Sequence, residues 1–200
     1  MQIQERSTVL IVPGLRDHVA EHWQTLLAAK LPKVRTVPPL EHNKLSCAAR
    51  VEAIQREIEH IQEPVIIVAH SAGVAMTVHW AQKHKRPIKG ALLAAPPDLE
   101  VQMPAGYPTL DALREGGWLP LPRTPLPFHS VVAASENDPL ASFVSTVEMA
   151  SDWGSELVNL GSVGHLNPAS GFGEWKQAED LIDYLEMIVV PDRLSRAGCA

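Results

Sequence analysis

Cysteine, positive charge and long hydrophobic runs are all scarce in this chain, and each shortage closes a route to function. Its two cysteines, Cys47 and Cys199, stand far apart and in no ligand-spaced cluster. They offer neither a disulfide framework nor a thiolate metal site, and such sparse use points to a reducing compartment. Lys and Arg number 17 against 23 Asp and Glu, a formal net charge of -6. That balance disfavours a phosphate-backbone partner, so nucleic acid is not expected. No stretch approaches the ~20 apolar residues that span a bilayer. The first apolar run, Val9 to Val12, is too short for the hydrophobic region of a signal peptide, and the expectation is a cytoplasmic protein with no membrane partner. A chain of 200 residues can fold as a single domain over 1–200 on its own core, with no cofactor or structural metal.

What is present is an alternation of two periodicities. Apolar β-rich runs occur at Thr8–Val12, Val34–Val37, Val65–Ala69, Gly90–Ala95, Ser130–Ala134 and Leu157–Leu160. Helical patterns fall between and after them at Val19–Lys30, Cys47–Ile61, Ala72–His84, Pro139–Trp153 and Glu174–Ile188. Strand, helix, strand repeated in this way predicts a parallel sheet covered on both faces, and right-handed crossovers make it an α/β, doubly wound three-layer sandwich. Between Pro96 and Pro127 stand eight prolines, more than a regular element holds. This interval, 96–128, leaves the carboxyl end of the fourth strand, where open α/β sheets bind ligands. It reads as an excursion over the site with a short helix near Thr109 to Glu115, or else as a rigid surface loop.

The third strand runs into Ala69-His70-Ser71-Ala72-Gly73 and then a helix. This is the G-x-S-x-G corner with alanine in its first place, a geometry that holds a serine hydroxyl exposed at a sharp turn; a serine there can also be a simple helix cap. Serine is a poor nucleophile at neutral pH and needs a base, which in turn needs an orienting group. Later strand ends supply both. Asp138 follows the fifth strand in Ser135-Glu136-Asn137-Asp138-Pro139-Leu140, and His165 follows the sixth in Gly161-Ser162-Val163-Gly164-His165-Leu166-Asn167. The chain order Ser, Asp, His is that of α/β-hydrolases. Glu136 and Asp98 are rival acids, and Asp138 before proline also suits a turn. Charge developing on a carbonyl oxygen calls for backbone N–H donors: Ala72, at the positive end of its helix, and Leu15, in the turn Val12-Pro13-Gly14-Leu15-Arg16 after the first strand.

Other features carry competing readings. His18-Val19-Ala20-Glu21-His22 has the H-x-x-E-H letters of inverted zinc peptidases, with Glu52, Glu57 or Glu59 as a conceivable third ligand; two polar residues at helical spacing account for it as well. His70 and His79 read as packing or surface residues. Trp23, Trp80, Trp118, Trp153 and Trp175 read as packing, with Trp118, inside the proline-rich interval, the one expected to touch substrate.

Taken together, Ile11-Val12-Pro13-Gly14 with His22-Trp23, Ala69-His70-Ser71-Ala72-Gly73, Ala133-Ala134-Ser135-Glu136-Asn137-Asp138-Pro139, Gly164-His165-Leu166-Asn167 and Gly171-Phe172-Gly173-Glu174-Trp175 resemble the small α/β-hydrolases of the retinoblastoma-binding protein 9 and YdeN type. The resemblance covers nearly the whole length. It implies a compact fold without a large lid, a six-stranded sheet in the order 2-1-3-4-5-6, and Ser71, Asp138 and His165 as nucleophile, acid and base. The expectation is a serine hydrolase of the carboxylesterase kind acting on a small-molecule ester or related acyl bond. The alternative is a binding protein on the same fold whose catalysis is incidental.

Overall fold

In the computed structural model, which describes residues 6–17 and 19–188, six strands form one all-parallel sheet. They are β1 Thr8–Val12, β2 Val34–Thr36, β3 Val65–His70, β4 Gly90–Ala94, β5 Ser130–Ala134 and β6 Glu156–Asn159. Their order is β2-β1-β3-β4-β5-β6, the order that the resemblance implied. Strands β1, β3, β4 and β5 are buried along their full length, which explains why their sequences are apolar runs instead of alternating ones.

The pleat sorts these side chains into two layers. Leu10, Ile67 and Leu93 pack with Ile54, Met76 and Trp153, which belong to α2 (Cys47–Glu59), α3 (Ala72–Lys83) and α5 (Phe143–Trp153). Ile11, Ile66 and Leu92 pack on the other face with Trp23, Leu27 and Ile182, from α1 (Trp23–Ala28) and α6 (Gln177–Met187). Three indoles are fully buried in the first layer, and each finds a partner for its N–H. Trp80 donates to Gln55 Oε1 at 2.9 Å, Trp118 to the Leu45 carbonyl at 2.7 Å and Trp153 to the Pro122 carbonyl at 2.9 Å. Each therefore contributes its apolar burial without an unsatisfied donor.

Helix starts differ from the periodicity where a side chain caps the backbone sooner or later than expected. Helix α1 begins at Trp23, not Val19, because His22 Nδ1 accepts the Gln24 N–H. Helix α5 begins at Phe143, not Pro139, with Ser142 Oγ accepting the Ser145 N–H. The expected short helix is α4, Leu110–Glu115, capped by Thr109. Beyond α4 the proline-rich interval turns inward, since Trp118, Leu121 and Leu126 are all buried. Only its earlier half reaches the end of the sheet where the serine lies.

A tight fit lies between the first turn of α3 and the end of β1. A Cβ on Gly73 would stand 2.3 Å from the Val12 carbonyl oxygen and 2.8 Å from that of Pro13. Both obstacles are backbone, so neither can swing aside. Gly73→Ala is expected to cost about 3 kcal/mol and to lower Tm by roughly 10 °C in a thermal melt; an unchanged Tm would mean that α3 can back away from β1 freely.

Candidate active site

Ser71 is the single residue between the end of β3 and the start of α3, and its backbone sits at φ 56, ψ -130. For a residue with a Cβ this is a strained conformation, costing on the order of 1–3 kcal/mol. Bonds on both sides hold it: the Ser71 N–H donates to the Ala94 carbonyl at 3.0 Å and the Val74 N–H donates to the Ser71 carbonyl at 2.8 Å. The hydroxyl is thereby fixed at the carboxyl edge of the sheet.

Two distant loops arrive at that hydroxyl. Ser71 Oγ lies 2.8 Å from His165 Nε2, and His165 Nδ1 lies 2.8 Å and 3.0 Å from the two carboxylate oxygens of Asp138. Nδ1 carries the proton that the carboxylate accepts, which leaves Nε2 as acceptor for the serine O–H. Asp138 and His165 side chains are only 3% and 5% exposed, so water does not compete for this line of bonds. The rival acids are engaged elsewhere. Asp98 accepts the Ser145 hydroxyl at 2.7 Å and the Glu100 N–H at 3.0 Å, and Glu136 accepts the Asn159 amide at 2.9 Å.

The loop carrying His165 is held by polar side chains that the sequence reading passed over. Asn137 Oδ1 accepts the Gly164 N–H at 2.7 Å and the Ser135 hydroxyl at 3.0 Å, Ser135 Oγ accepts the Val163 N–H at 3.2 Å, and Ser170 Oγ accepts the His165 N–H at 3.0 Å. His70, in the residue before the serine, donates Nε2–H to the His165 carbonyl at 2.9 Å. It is a buried histidine with a specific partner, so strand β3 contributes to both ends of the arrangement. His22 lies beside it with the two rings tilted by 55° and their centroids 4.6 Å apart, and the His70 ring centroid lies 5.0 Å from that of His165. Burial, then the neighbouring His165 ring, draws His22 down to about 4; His70 lies well below the usual imidazole range for the same reasons. Both are neutral at pH 7. The one signal available in the sequence was the nearness of His22 and His70 to the turns after β1 and β3.

Above Ser71 opens a cavity of about 360 Å³. Gly14, Leu15 and Ala72 line it, and Gly14 lies so close to Ser71 that a Cβ there would stand 3.2 Å from the serine Cβ. Among the described residues no group accepts the N–H of Leu15 or of Ala72. Apolar walls come from Leu99, Met103, Tyr107 and Pro108 of the proline-rich interval, and from Leu45 and Leu140. Trp118 is not among them, which corrects the expectation that it touches substrate: it is 0% exposed, its N–H is bound to Leu45, and His79 Nε2 donates to its carbonyl at 3.0 Å. A large aromatic surface in a proline-rich stretch served packing, and Tyr107 is the aromatic side chain that reaches the cavity.

The H-x-x-E-H segment also reads differently in the fold. His18 lies outside the described residues; Glu21 and His22 precede α1, with His22 extended at φ -73, ψ 141. The helical face that would pair two histidines is therefore missing on the His22 side. Glu52 and Glu57 pair with Lys83 and Arg35, and Glu59 accepts the Gln55 amide. Among the described residues no three candidate ligands converge on one point. Burial pushes the Cys47 thiol up to about 11, far from a reactive thiolate.

The parallel sheet, its strand order and the serine at the β3–α3 corner define an α/β-hydrolase. The serine hydrolase family model matches residues 9–184, and the chain belongs to that family. A protein described as a YdeN-like hydrolase of Pectobacterium atrosepticum is similar to it at 30% identity, over 92% of this chain and 94% of that one, with a TM-score of 0.74. The ydeN gene product of B. subtilis shares the fold at 18% identity, over 90% of this chain and 98% of that one, TM-score 0.71. Est1E of Butyrivibrio proteoclasticus shares it at 11% identity, over 92% and 87% of the two chains, TM-score 0.64. No curated protein matches the chain. No helix among the described residues is long and apolar enough to cross a membrane.

The depressed histidines make stability depend on pH with a definite sign. Below the unfolded value near 6.5 the unfolded chain takes up protons that folded His22 refuses until about 4, so stability falls as pH drops through that window. His22→Asn keeps a capping oxygen for α1 and removes the titration. Urea melts at pH 7 and pH 5 are expected to show a smaller loss in this variant than in the wild type; equal losses would exclude His22 as a contributor.

Proposed function

We propose that the protein cleaves a carboxylic ester or related acyl bond through Ser71, His165 and Asp138. The observation that carries this reading is the unbroken line from Ser71 Oγ through the His165 ring to the Asp138 carboxylate, with both links at 2.8 Å. Residues 94 positions apart meet there at a strained corner. His165 Nε2 takes the serine proton as Oγ attacks the carbonyl carbon, and Asp138 holds the imidazole tautomer and stabilises the imidazolium. The tetrahedral oxygen lies against the Leu15 and Ala72 N–H groups, which have no other acceptor among the described residues and need not reorganise as charge develops. Collapse expels the alcohol, protonated by His165, and leaves an acyl-enzyme. Water activated by the same nitrogen then releases the acid. The acyl group or its leaving partner occupies the apolar cavity beside Leu99, Met103 and Tyr107. Belonging to the serine hydrolase family favours turnover over the alternative of a binding protein with incidental catalysis.

A fluorophosphonate probe is expected to label the wild type and not Ser71→Ala; equal labelling would remove Ser71 as nucleophile. Asp138→Asn leaves the carboxylate's shape but loses its charge and its preference for the Nδ1–H tautomer. Its kcat on para-nitrophenyl esters should drop by about 10³–10⁴-fold, with little change in thermal melting, whereas a fall below tenfold would point to a different acid.

A further inference from the structure

The mouth of the cavity is charged with one sign. Its lining residues that are exposed to solvent include Arg16 and Lys44, and the single acidic residue in the lining is Asp17. Asp17 is not available to neutralise them, because it forms an ion pair with Arg50, whose side chain is only 4% exposed. Arg50 also donates Nε–H to the Lys44 carbonyl at 3.0 Å. One buried guanidinium therefore ties the turn after β1, which carries Arg16, to the loop before α2, which carries Lys44, and both residues line the cavity. The second segment is fixed again from behind, where the Leu45 carbonyl accepts the Trp118 indole N–H at 2.7 Å and the Gly116 carbonyl accepts the Cys47 N–H at 2.8 Å. Arg16 is steered by Tyr107, its guanidinium carbon 5.7 Å from the ring centroid.

Neither Arg16 nor Lys44 has an ion-pair partner among the described residues. Most other surface cations do: Arg6, Lys30, Lys33, Arg35, Lys83, Arg114 and Arg123 are paired with carboxylates. The whole chain is negative at -6, so a pair of unneutralised cations beside an apolar cavity opposes the general field and focuses anions on the opening. His22 and His70, which also line the cavity, are neutral at neutral pH and add no charge to it.

We propose that the substrate of this site is an ester or acyl compound that also bears a carboxylate. Its apolar chain lies in the cavity against Leu99 and Met103, and its carboxylate is held at the mouth by Arg16 and Lys44. The inference rests on the reading of Ser71 as nucleophile and adds to it the class of substrate. Arg16 can face a carboxylate with a planar pair of N–H donors, while Lys44 acts as a point charge.

The test compares the para-nitrophenyl ester of hexanoate with the para-nitrophenyl monoester of adipate, chains of equal length differing in a terminal carboxylate. The ratio of kcat/KM values, adipate over hexanoate, is expected to fall about tenfold in the Arg16→Gln/Lys44→Gln double variant, and to fall in the wild type when sodium chloride is raised to screen the rim. A ratio that neither the double variant nor salt alters overturns the inference while hexanoate turnover leaves the hydrolase reading intact. Binding is measured in parallel on Ser71→Ala with the stable probes monomethyl adipate and methyl hexanoate. Tighter binding of the adipate, lost when Arg16 and Lys44 are also replaced, in a protein whose wild type hydrolyses neither ester would keep the anion site and discard the hydrolase reading. Equal binding of the two probes would discard the anion site on its own.

Discussion

The contact on which the site depends is the one at Gly73, where the first turn of α3 rests on the carbonyls of Val12 and Pro13 with no room for a methyl group. That approach fixes the angle at which the chain leaves β3, and so forces Ser71 into its positive-φ corner. It also brings the turn after β1 alongside, so that Gly14 lies against Ser71 and Leu15 lines the same cavity as Ala72. A wider packing distance would relax the corner and separate the two donors at once. Strain at Ser71 and crowding at Gly73 are one constraint seen from two sides.

Around that corner the His165 loop is secured by polar bonds from side chains to backbone, of which the one from His70 is buried and the one to Asn137 lies at the surface. Asn137, Ser135, Ser170 and His70 each satisfy a backbone group of the loop or of its support. Such a network is costly when half made and rigid when complete. Its completeness here explains how a loop with positive-φ residues at Gly161, Gly164 and Leu166 still presents an imidazole at a defined distance. His70 is the economical part of the design, because a neutral donor next to the serine reaches the backbone of the residue that would activate it.

The sheet and its order were legible because buried parallel strands are continuous apolar runs, and such runs leave little doubt about strand positions or about the crossovers between them. That Ser71, Asp138 and His165 would meet was legible for a related reason: each follows the end of a strand, and strand ends were readable. Helix starts were less so, since His22 and Ser142 cap later than hydrophobic periodicity begins. The family motifs located His22-Trp23 without revealing that His22 would lie against His70 rather than on a helical face. Trp118 was misplaced because a proline-rich stretch gives no sign of where it turns inward. Nor could any spacing disclose that Arg50 would reach Asp17 and the Lys44 carbonyl, a contact made between residues 33 apart.

The six strands divide their labour. Ser71, Asp138 and His165 follow β3, β5 and β6, whereas most of the walls and rim of the cavity come from segments after β1, β2 and β4, with Leu140 and Pro168 added from after β5 and β6. Residues of the second group are mostly loop residues that support none of the bonds around His165. Mutation in the segments after β2 and β4 can therefore recut the mouth, lengthen the 97–108 segment or change its charge while the corner at Ser71 stays untouched. A scaffold partitioned in this way is free to explore new metabolites one loop at a time, and relatives of equal fold can diverge in diet without diverging in chemistry.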